Sequence, residues 1–553
     1  MDNTMSIKPK LPLEHLIHWE QQQGSTIWLR QPRERKLHDT TWTEALKQVT
    51  ALAGALRHLG LQPGDKVAIL SKNCAEWFIT DLALQAGGFI SVPIYPTASE
   101  DTVRYVLNHS GAKAVFIGKL DNPEAINGAI ADTLLRFGMN YQSLHTQYDW
   151  QRLLTMAEPI EIELAQPEQI MTLIYTSGST GNPKGALLSY GAYSYAADII
   201  QNELNANPDD RVISYLPLAH ITERTYVEGS AIASGATVYF LENLQTFVDD
   251  VKVAAPTLFL SVPRLWTLFR QNIIDKVGHS KLNLLLSLPL INKLVAAKIR
   301  KQLGLDSARM LGCGSAPVSP SLLQWYRRIG MDIAEAWGMT ETAGLGTMNT
   351  PYRFDKLGTV GRVPLNCEVK LGDNNELLFK SPSLIDGYYN NDAATAEVFD
   401  ADGYFKTGDQ AQIDDDGYVS ITGRIKDNFK TAKGKFVCPV PIERKLSQNP
   451  HIELVCVIGS GQPYPAAVVQ LTEGAKLLPK TEVEQSLTDT MTEINVLMES
   501  HATLGGALLI AEPWTVENDV MTPTLKIKRH VVEQRFNEKI GSLRNEQIQW
   551  QQQ

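Results

Sequence analysis

Hydrophobic positions along roughly the first 130 residues switch between two spacings. Across 41–59 apolar residues recur at helical intervals behind Thr41-Trp42-Thr43-Glu44, where a threonine followed three residues later by a glutamate marks a helix start. Segments 66–70, 88–93 and 114–117 are short apolar runs rich in β-branched residues and predict strands, and 103–107 predicts a helix between the last two. Strands alternating with helices predict a largely parallel sheet with helices on its faces. The same texture returns between Thr172 and Leu260, which predicts a second layer of the same kind.

Past Gly358 the spacing changes. Segments 369–371, 376–379 and 418–421 are short strands between Asp/Asn/Gly turns, as in a small barrel or meander. After Arg424 comes a smaller segment with its own strand at 454–458 and a Glu-rich helix. A boundary near 424–427 divides the chain into 1–425 and 426–553. The expected class is α/β: a large N-terminal domain of two helix-covered mixed or parallel sheets plus a small β-barrel, then a small mobile α+β C-terminal domain.

At 553 residues the chain exceeds what one core organises, which agrees with two domains. A formal net charge of −10 argues against a nucleic-acid partner, because nothing offsets repulsion from phosphates. Cys74, Cys313, Cys367, Cys438 and Cys456 are odd in number and scattered, with no CxxC pair. That excludes a zinc cluster or disulfide framework of familiar spacing and suits a reducing cytoplasm. The N-terminal residues lack the apolar run of a signal peptide, and no stretch approaches the roughly 20 apolar residues of a membrane span. A soluble, cytoplasmic protein is expected.

Candidate chemistry concentrates at 171–185. An apolar strand runs into Thr176, Ser177, Gly178, Ser179, Thr180 and Gly181, and Lys184 follows. Hydroxyls and unobstructed backbone N–H groups suit phosphate oxygens, and the lysine adds positive charge. The spacing is not that of a Walker loop, because Lys184 is followed by Gly185. This segment closely resembles the phosphate loop of the adenylate-forming superfamily, which includes acyl- and aryl-CoA ligases. Further motifs follow in that family's order over roughly residues 40–530.

The resemblance implies the rest of the site. Gly314, Ser315 and Ala316 match the loop that lines the adenine pocket, and Trp337-Gly338-Met339-Thr340-Glu341 matches an element where tyrosine is usual at the first position. Thr340 would contact phosphate, Glu341 would hold Mg²⁺, and Asp409 would accept from the ribose hydroxyls. Arg424 would reach the ribose or phosphate. Lys526 would bridge the reacting carboxylate and the α-phosphate, with Lys528 as competitor. The segment 216–224, containing His220, and the segment 261–266, ending at Trp266, resemble long-chain and bubblegum-type acyl-CoA synthetases. His220 would stand between the carboxylate site and the acyl tunnel; Trp266 fits the tunnel wall or the core equally. Gly434 would leave room for the pantetheine arm of coenzyme A.

The implied reaction uses ATP and Mg²⁺ to convert a medium- or long-chain fatty acid to acyl-AMP, then passes the acyl group to coenzyme A. A fatty-acyl-AMP ligase that loads an acyl carrier protein and a non-catalytic nucleotide-binding relative are the alternatives. Between 270 and 309 eight Lys/Arg stand against two Asp around an apolar run. Such a segment fits a solvated helix or a peripheral contact at the inner face of a membrane.

Overall fold

The computed structural model describes residues 9–141, 144–176, 182–516, 518–522 and 526–551. The helix Trp42–His58 begins as its sequence dictates: Glu44 N–H donates to Thr41 Oγ1 at 3.2 Å, and Thr41 N–H donates to Glu44 Oε2 at 2.8 Å. Trp42 then stacks on Trp28 with ring centroids 4.3 Å apart.

Five parallel strands make up most of a seven-stranded sheet and run to its edge at the last of them: Ile170–Thr176, Ile90–Ile94, Lys66–Leu70, Ala114–Ile117 and Leu135–Gly138. Lys184–Ser189 folds back antiparallel on Ile170–Thr176, and Gly387–Tyr388 closes that edge. A second layer comes from two four-stranded sheets. One holds Lys36–Thr41, Ile27–Arg33, Thr237–Phe240 and Arg211–Ser214; the other holds Leu258–Ser261, Met310–Cys313, Ile333–Trp337 and Thr347–Met348. Their edges adjoin where Thr257 N–H donates to the Arg211 carbonyl at 2.9 Å.

The membership of the layers corrects one expectation. Residues 170–189 extend the first sheet, with Thr172 opposite Ser91, while Ile27–Arg33 near the N-terminus joins the second by pairing with Thr237–Phe240. Apart from the exposed edge strand Lys36–Thr41, the strands of both layers are largely buried on both faces, so they read alike in sequence and nothing local says which sheet a run will enter.

Helix Ala75–Ala86 is buried along its whole length. Such a helix must satisfy its polar groups internally. Its Asp81 meets the fully buried Arg224 at 2.7 Å, and Arg224 also reaches Glu228 at 3.1 Å. Burial pushes the Glu228 carboxyl well up, towards its neutral form. The guanidinium lies over the Trp77 ring at 5.1 Å and near Ser91 and Thr172 of the first sheet, both at 3.4 Å. Arg224 sits on a π-helix, Glu223–Gly229, whose extra residue per turn is a common device next to functional sites.

A four-stranded antiparallel sheet follows, made of Glu368–Leu371, Glu376–Lys380, Phe405–Ile413 and Val419–Arg424. The last part of the chain builds its own sheet from Ile452–Ile458, Ala466–Leu471, Gly506–Leu509 and Gln547–Trp550. Two apolar clusters fill it, drawn only from residues at or after Phe429. Contacts back to the larger part include Arg264 to Glu453 at 3.2 Å and Arg444 donating to the Gly358 carbonyl at 3.3 Å.

Arg224→Ala leaves Asp81 and Glu228 buried without their cation, and breaking such a pair costs about 3–5 kcal/mol. The urea midpoint and apparent Tm should fall accordingly. A variant that unfolds within about 1 kcal/mol of the parent would show that the pair is dispensable.

Candidate active site

Asp409 and Arg424 are directly opposite each other on neighbouring strands. Arg424 Nε donates to Asp409 Oδ1 at 2.7 Å, and Trp337 Nε1 donates to Oδ2 at 2.8 Å. A carboxylate offers about four acceptor positions, so two remain for other donors. Trp337 ends the strand Ile333–Trp337, with its ring edge-on to Phe379. Both oxygens of Asp409 are thus held by donors, one of them the Trp337 indole packed against Phe379.

The chain leaves that strand through Gly338, where a Cβ would come within 2.3 Å of the Gly344 carbonyl oxygen. Only glycine lets it turn so closely into the 3₁₀ turn Thr340–Thr342. Glu341 is buried there, and Tyr388 Oη donates to its Oε1 at 2.8 Å. The Lys184 ammonium lies 5.0 Å from the centre of the same Tyr388 ring. Lys184 faces Thr176 at the end of the Ile170–Thr176 hairpin, so the two anchor the phosphate-type loop on either side. Ser177, Gly178, Ser179, Thr180 and Gly181 lie outside the described residues.

His220 stands on the segment that leads into the π-helix. Glu223 fixes that segment by accepting from Ser214 Oγ at 2.7 Å, Tyr215 N–H at 2.9 Å and Asn73 Nδ2 at 3.2 Å. Burial raises the Glu223 carboxyl to about 8. His220 Nδ1 accepts from the Thr222 N–H at 3.2 Å, which leaves Nε2 carrying the proton of the neutral ring. Burial, with Lys526 adding its charge, pushes His220 down to about 3. Thr222 Oγ1 lies 3.3 Å from Ser315 Oγ, and Ser315 adopts φ +68° between Gly314 and Ala316.

Lys526 enters from the C-terminal part. Thr522 N–H donates to the Lys526 carbonyl at 2.8 Å and Lys526 N–H to Thr522 Oγ1 at 3.0 Å. Burial lowers the Lys526 ammonium from its ordinary value, Arg424 adds to this, and Asp409 and Glu341 oppose it. Lys526 nevertheless keeps exposed surface, as does half of the Arg424 side chain. Protein on most sides and solvent on one is the condition of groups lining a cleft. Lys528 is instead paired with Asp519. Gly434 stands apart in the turn between Phe429–Lys430 and Phe436–Val437, at φ +72° with open space around it.

The strands Leu258–Ser261, Met310–Cys313 and Ile333–Trp337 form one wall of a mainly apolar cavity that the buried Glu335 also lines. Leu260, Gly312, Ala334 and Ala336 line it on one side, and Tyr226 and Val227 of the π-helix face them. Glycine and alanine at these positions leave room over the sheet. Trp266 contributes to the core instead: it is fully buried against Phe259 and Tyr326, and its Nε1 donates to the Gly312 carbonyl at 3.3 Å.

Residues 18–389 match the family described as AMP-binding enzyme, and residues 426–547 match the AMP-binding enzyme C-terminal domain. The chain belongs to the AMP-binding enzyme family. It is 30% identical to a long-chain-fatty-acid–CoA ligase of Mycobacterium bovis, with 92% of this chain and 93% of that protein covered. A peroxisomal long chain acyl-CoA synthetase of Arabidopsis thaliana is 29% identical over 91% of this chain and 81% of its own. The fold is shared with a solved anthranilate CoA ligase in complex with anthranoyl-AMP, at a TM-score of 0.79 and 21% identity, covering 96% and 98% of the two chains.

For an AMP-binding enzyme the carboxylates fit a nucleotide with Mg²⁺. Among the described residues no three His, Cys, Asp or Glu side chains converge on a metal position. A Mg²⁺ ion here would take Glu341 as a single protein ligand and complete its shell with phosphate and water oxygens, its habitual arrangement. Tyr388, which orients Glu341 and touches Lys184, is a site residue that the motifs did not reveal. It lies far from both in sequence and only the sheet edge Gly387–Tyr388 brings it in. Asn73, which helps hold the His220 segment through Glu223, was hidden for the same reason, whereas Glu223 lies within the 216–224 motif itself.

His220 should stay neutral between about pH 5 and 8, because its charged form is disfavoured on all sides. Histidine NMR should show one ring that does not titrate in that range. A His220 midpoint near the ordinary 6.5 would mean that the ring is solvated.

Proposed function

We propose that this enzyme activates a medium- or long-chain fatty acid with ATP, forming acyl-AMP and pyrophosphate, and then transfers the acyl group to coenzyme A, releasing AMP. The observation that carries the reading is the convergence of Lys526, Glu341, Asp409 and Arg424 on one cleft, with a mainly apolar cavity against the strand that ends at Trp337. The names of its relatives, long-chain-fatty-acid–CoA ligases among them, support the substrate class and the acceptor.

A carboxylate is a poor electrophile, and hydroxide is a poor leaving group. Attack by a carboxylate oxygen on the α-phosphorus breaks the bond to the β-phosphate oxygen, and AMP becomes the new leaving group. Two anions must meet, so stabilisation has to come from cations aimed at the charge that builds in the transition state. In this reading Lys526 bridges carboxylate and α-phosphate. Mg²⁺, when bound at Glu341, supplies further positive charge to the triphosphate. Asp409 accepts from the ribose, with Arg424 and Trp337 aiming its oxygens. His220, held neutral, brings a hydrogen-bond donor and no second charge to the mouth of the acyl cavity. In the second step the thiol sulfur attacks the acyl carbon and the AMP oxygen departs with the electron pair.

We assign residues 1–425 to the nucleotide- and acid-binding domain and 426–553 to a lid that carries Lys526. The lid turns about Lys426 between the two steps, withdrawing Lys526 and bringing Gly434 to the path of the thiol. Fatty acids partition into membranes, so the same reading has the enzyme work at the cytoplasmic face of one.

Two measurements test this. Each buried methylene contributes about 0.8 kcal/mol, so kcat/KM should climb from acetate towards decanoate and palmitate before levelling. Acetate or benzoate as the best substrate would overturn the assignment. Lys526→Ala should slow acyl-AMP formation about 100- to 1000-fold, while thioester formation from supplied acyl-AMP largely survives. Equal loss of both steps, or loss in Lys528→Ala alone, would move the role elsewhere.

A further inference from the structure

The segment between Val277 and Leu305 folds as two helices, His279–Ser287 and Ile291–Leu303, joined at Leu288-Pro289-Leu290. Their inner positions, Leu282, Leu286, Ala296 and Ile299, pack into the core behind the Leu258–Ser261 sheet. That packing accounts for one apolar face. The hairpin has another. Leu284, Leu290 and Leu294 are exposed at 61%, 75% and 73%, with Leu288 and Ile291 also exposed beside them. Isolated exposed leucines are ordinary, but five within eleven consecutive residues make a patch.

The tip adds a second observation. Ile291 N–H donates to the Pro289 carbonyl at 2.8 Å, closing a γ-turn centred on Leu290 at φ +67°, ψ −44°. Glycine adopts that backbone readily, and leucine does so only under strain. The sequence therefore keeps a large apolar side chain, turned out into water, at the point where a smaller residue would fold more easily.

The charge around the patch identifies what it meets. From Lys276 to Leu305 the chain has six Lys or Arg and no Asp or Glu, within a protein of net charge −10. Among the described residues, Lys281, Lys293, Lys298 and Lys301 make no ion pair with an acidic group within 4.0 Å. Two copies of this face would set like charges against each other, which disfavours self-association. Leucines on a protruding tip ringed by free lysines suit a surface that is anionic outside and apolar just beneath. We propose that the 279–303 hairpin docks this enzyme on an anionic lipid surface, with Leu290 and Leu294 inserted and the lysines on the headgroups. The surface stands on its own observations. Only the idea that it collects fatty acid there rests on the acyl-activating reading.

The test uses the full chain and vesicles of phosphatidylcholine with or without phosphatidylglycerol. The protein should co-sediment with the anionic vesicles and not with the neutral ones, and salt should release it. Leu290→Gly combined with Leu294→Asp should weaken binding about tenfold or more, and so should Lys281→Glu with Lys293→Glu and Lys298→Glu while the leucines remain. Pyrophosphate release with octanoate in vesicle-free buffer should stay at the parent level in all variants. That readout checks folding, and its failure in the parent would count against the proposed reaction rather than the docking. Equal binding to neutral vesicles, no binding at all, or variants that sediment like the parent would overturn the proposal. So would a parent dimer that Leu290→Gly dissociates, or patch-dependent binding of an acidic carrier protein in place of vesicles.

Discussion

Arg224 carries a permanent charge to a place without water, and all but one of the groups that accommodate it come from other elements. Asp81 arrives on the buried helix Ala75–Ala86, Glu228 from the next turn of the π-helix, Ser91 and Thr172 from two strands of the first sheet. A buried ion pair is weak evidence of stability, since well-packed apolar side chains often do as well. What it imposes is geometry. The charge has one good position, so the π-helix is fixed against the first sheet at that position. The same π-helix presents Tyr226 and Val227 to the cavity and follows directly from His220. On the proposed reading, the acid-binding side of the cleft is thereby indexed to the nucleotide-binding side, although the two lie on different sheets.

Legibility followed the range of the physics. Local devices could be read from residues alone: the Thr41–Glu44 cap, the strand 114–117, and the turn-rich strands after Gly358 all stand close to where spacing and propensity put them. Which sheet a strand joins could not be read, because strands buried on both faces carry no mark of their neighbours. The site divides in the same way. Trp337, Glu341, Asp409 and Arg424 stand out only because their short runs resemble the family's motifs; on residue types alone those runs read as a cap or a turn. Tyr388 and Asn73 act across 47 and 150 positions respectively, and only the folded chain reveals them. Trp266, equally suited to tunnel or core on sequence, is settled by the Gly312 carbonyl and the aromatic rings around it.

The cleft concentrates opposite charges without letting them cancel. Asp409 is held by Arg424 and the Trp337 indole, Glu341 by a neutral tyrosine, and Lys526 faces both carboxylates without an ion pair to either among the described residues. A lysine already locked to a carboxylate would have little left to offer an incoming phosphate, as Lys528 illustrates by its pairing with Asp519. Keeping His220 neutral serves the same end. A second cation beside Lys526 would depress the lysine further and weaken the group that the chemistry needs most.

The position of Lys526 in the chain then becomes intelligible. Charge that stabilises the joining of two anions also holds the product, AMP, in place, and a thiol must approach the acyl carbon from a side that the lysine obstructs. A cation fixed on the large part could not satisfy both steps. Here the lysine belongs to a part with its own sheet and its own apolar clusters, tied back by contacts such as the part-exposed Arg264–Glu453 pair and a single arginine–carbonyl bond at Gly358. Exposed ion pairs contribute at most about 1 kcal/mol each, and although neutral bonds such as Asn428 Nδ2 to Gln410 Oε1 at 2.9 Å also cross the division, the apolar clusters of the last part include no residue before Phe429. The groups that must stay, Asp409 with its two donors and Glu341 with Tyr388, all lie on the other side of that division. The same economy explains why Arg424, at the edge of the division, keeps half of its side chain in solvent while its Nε remains on Asp409.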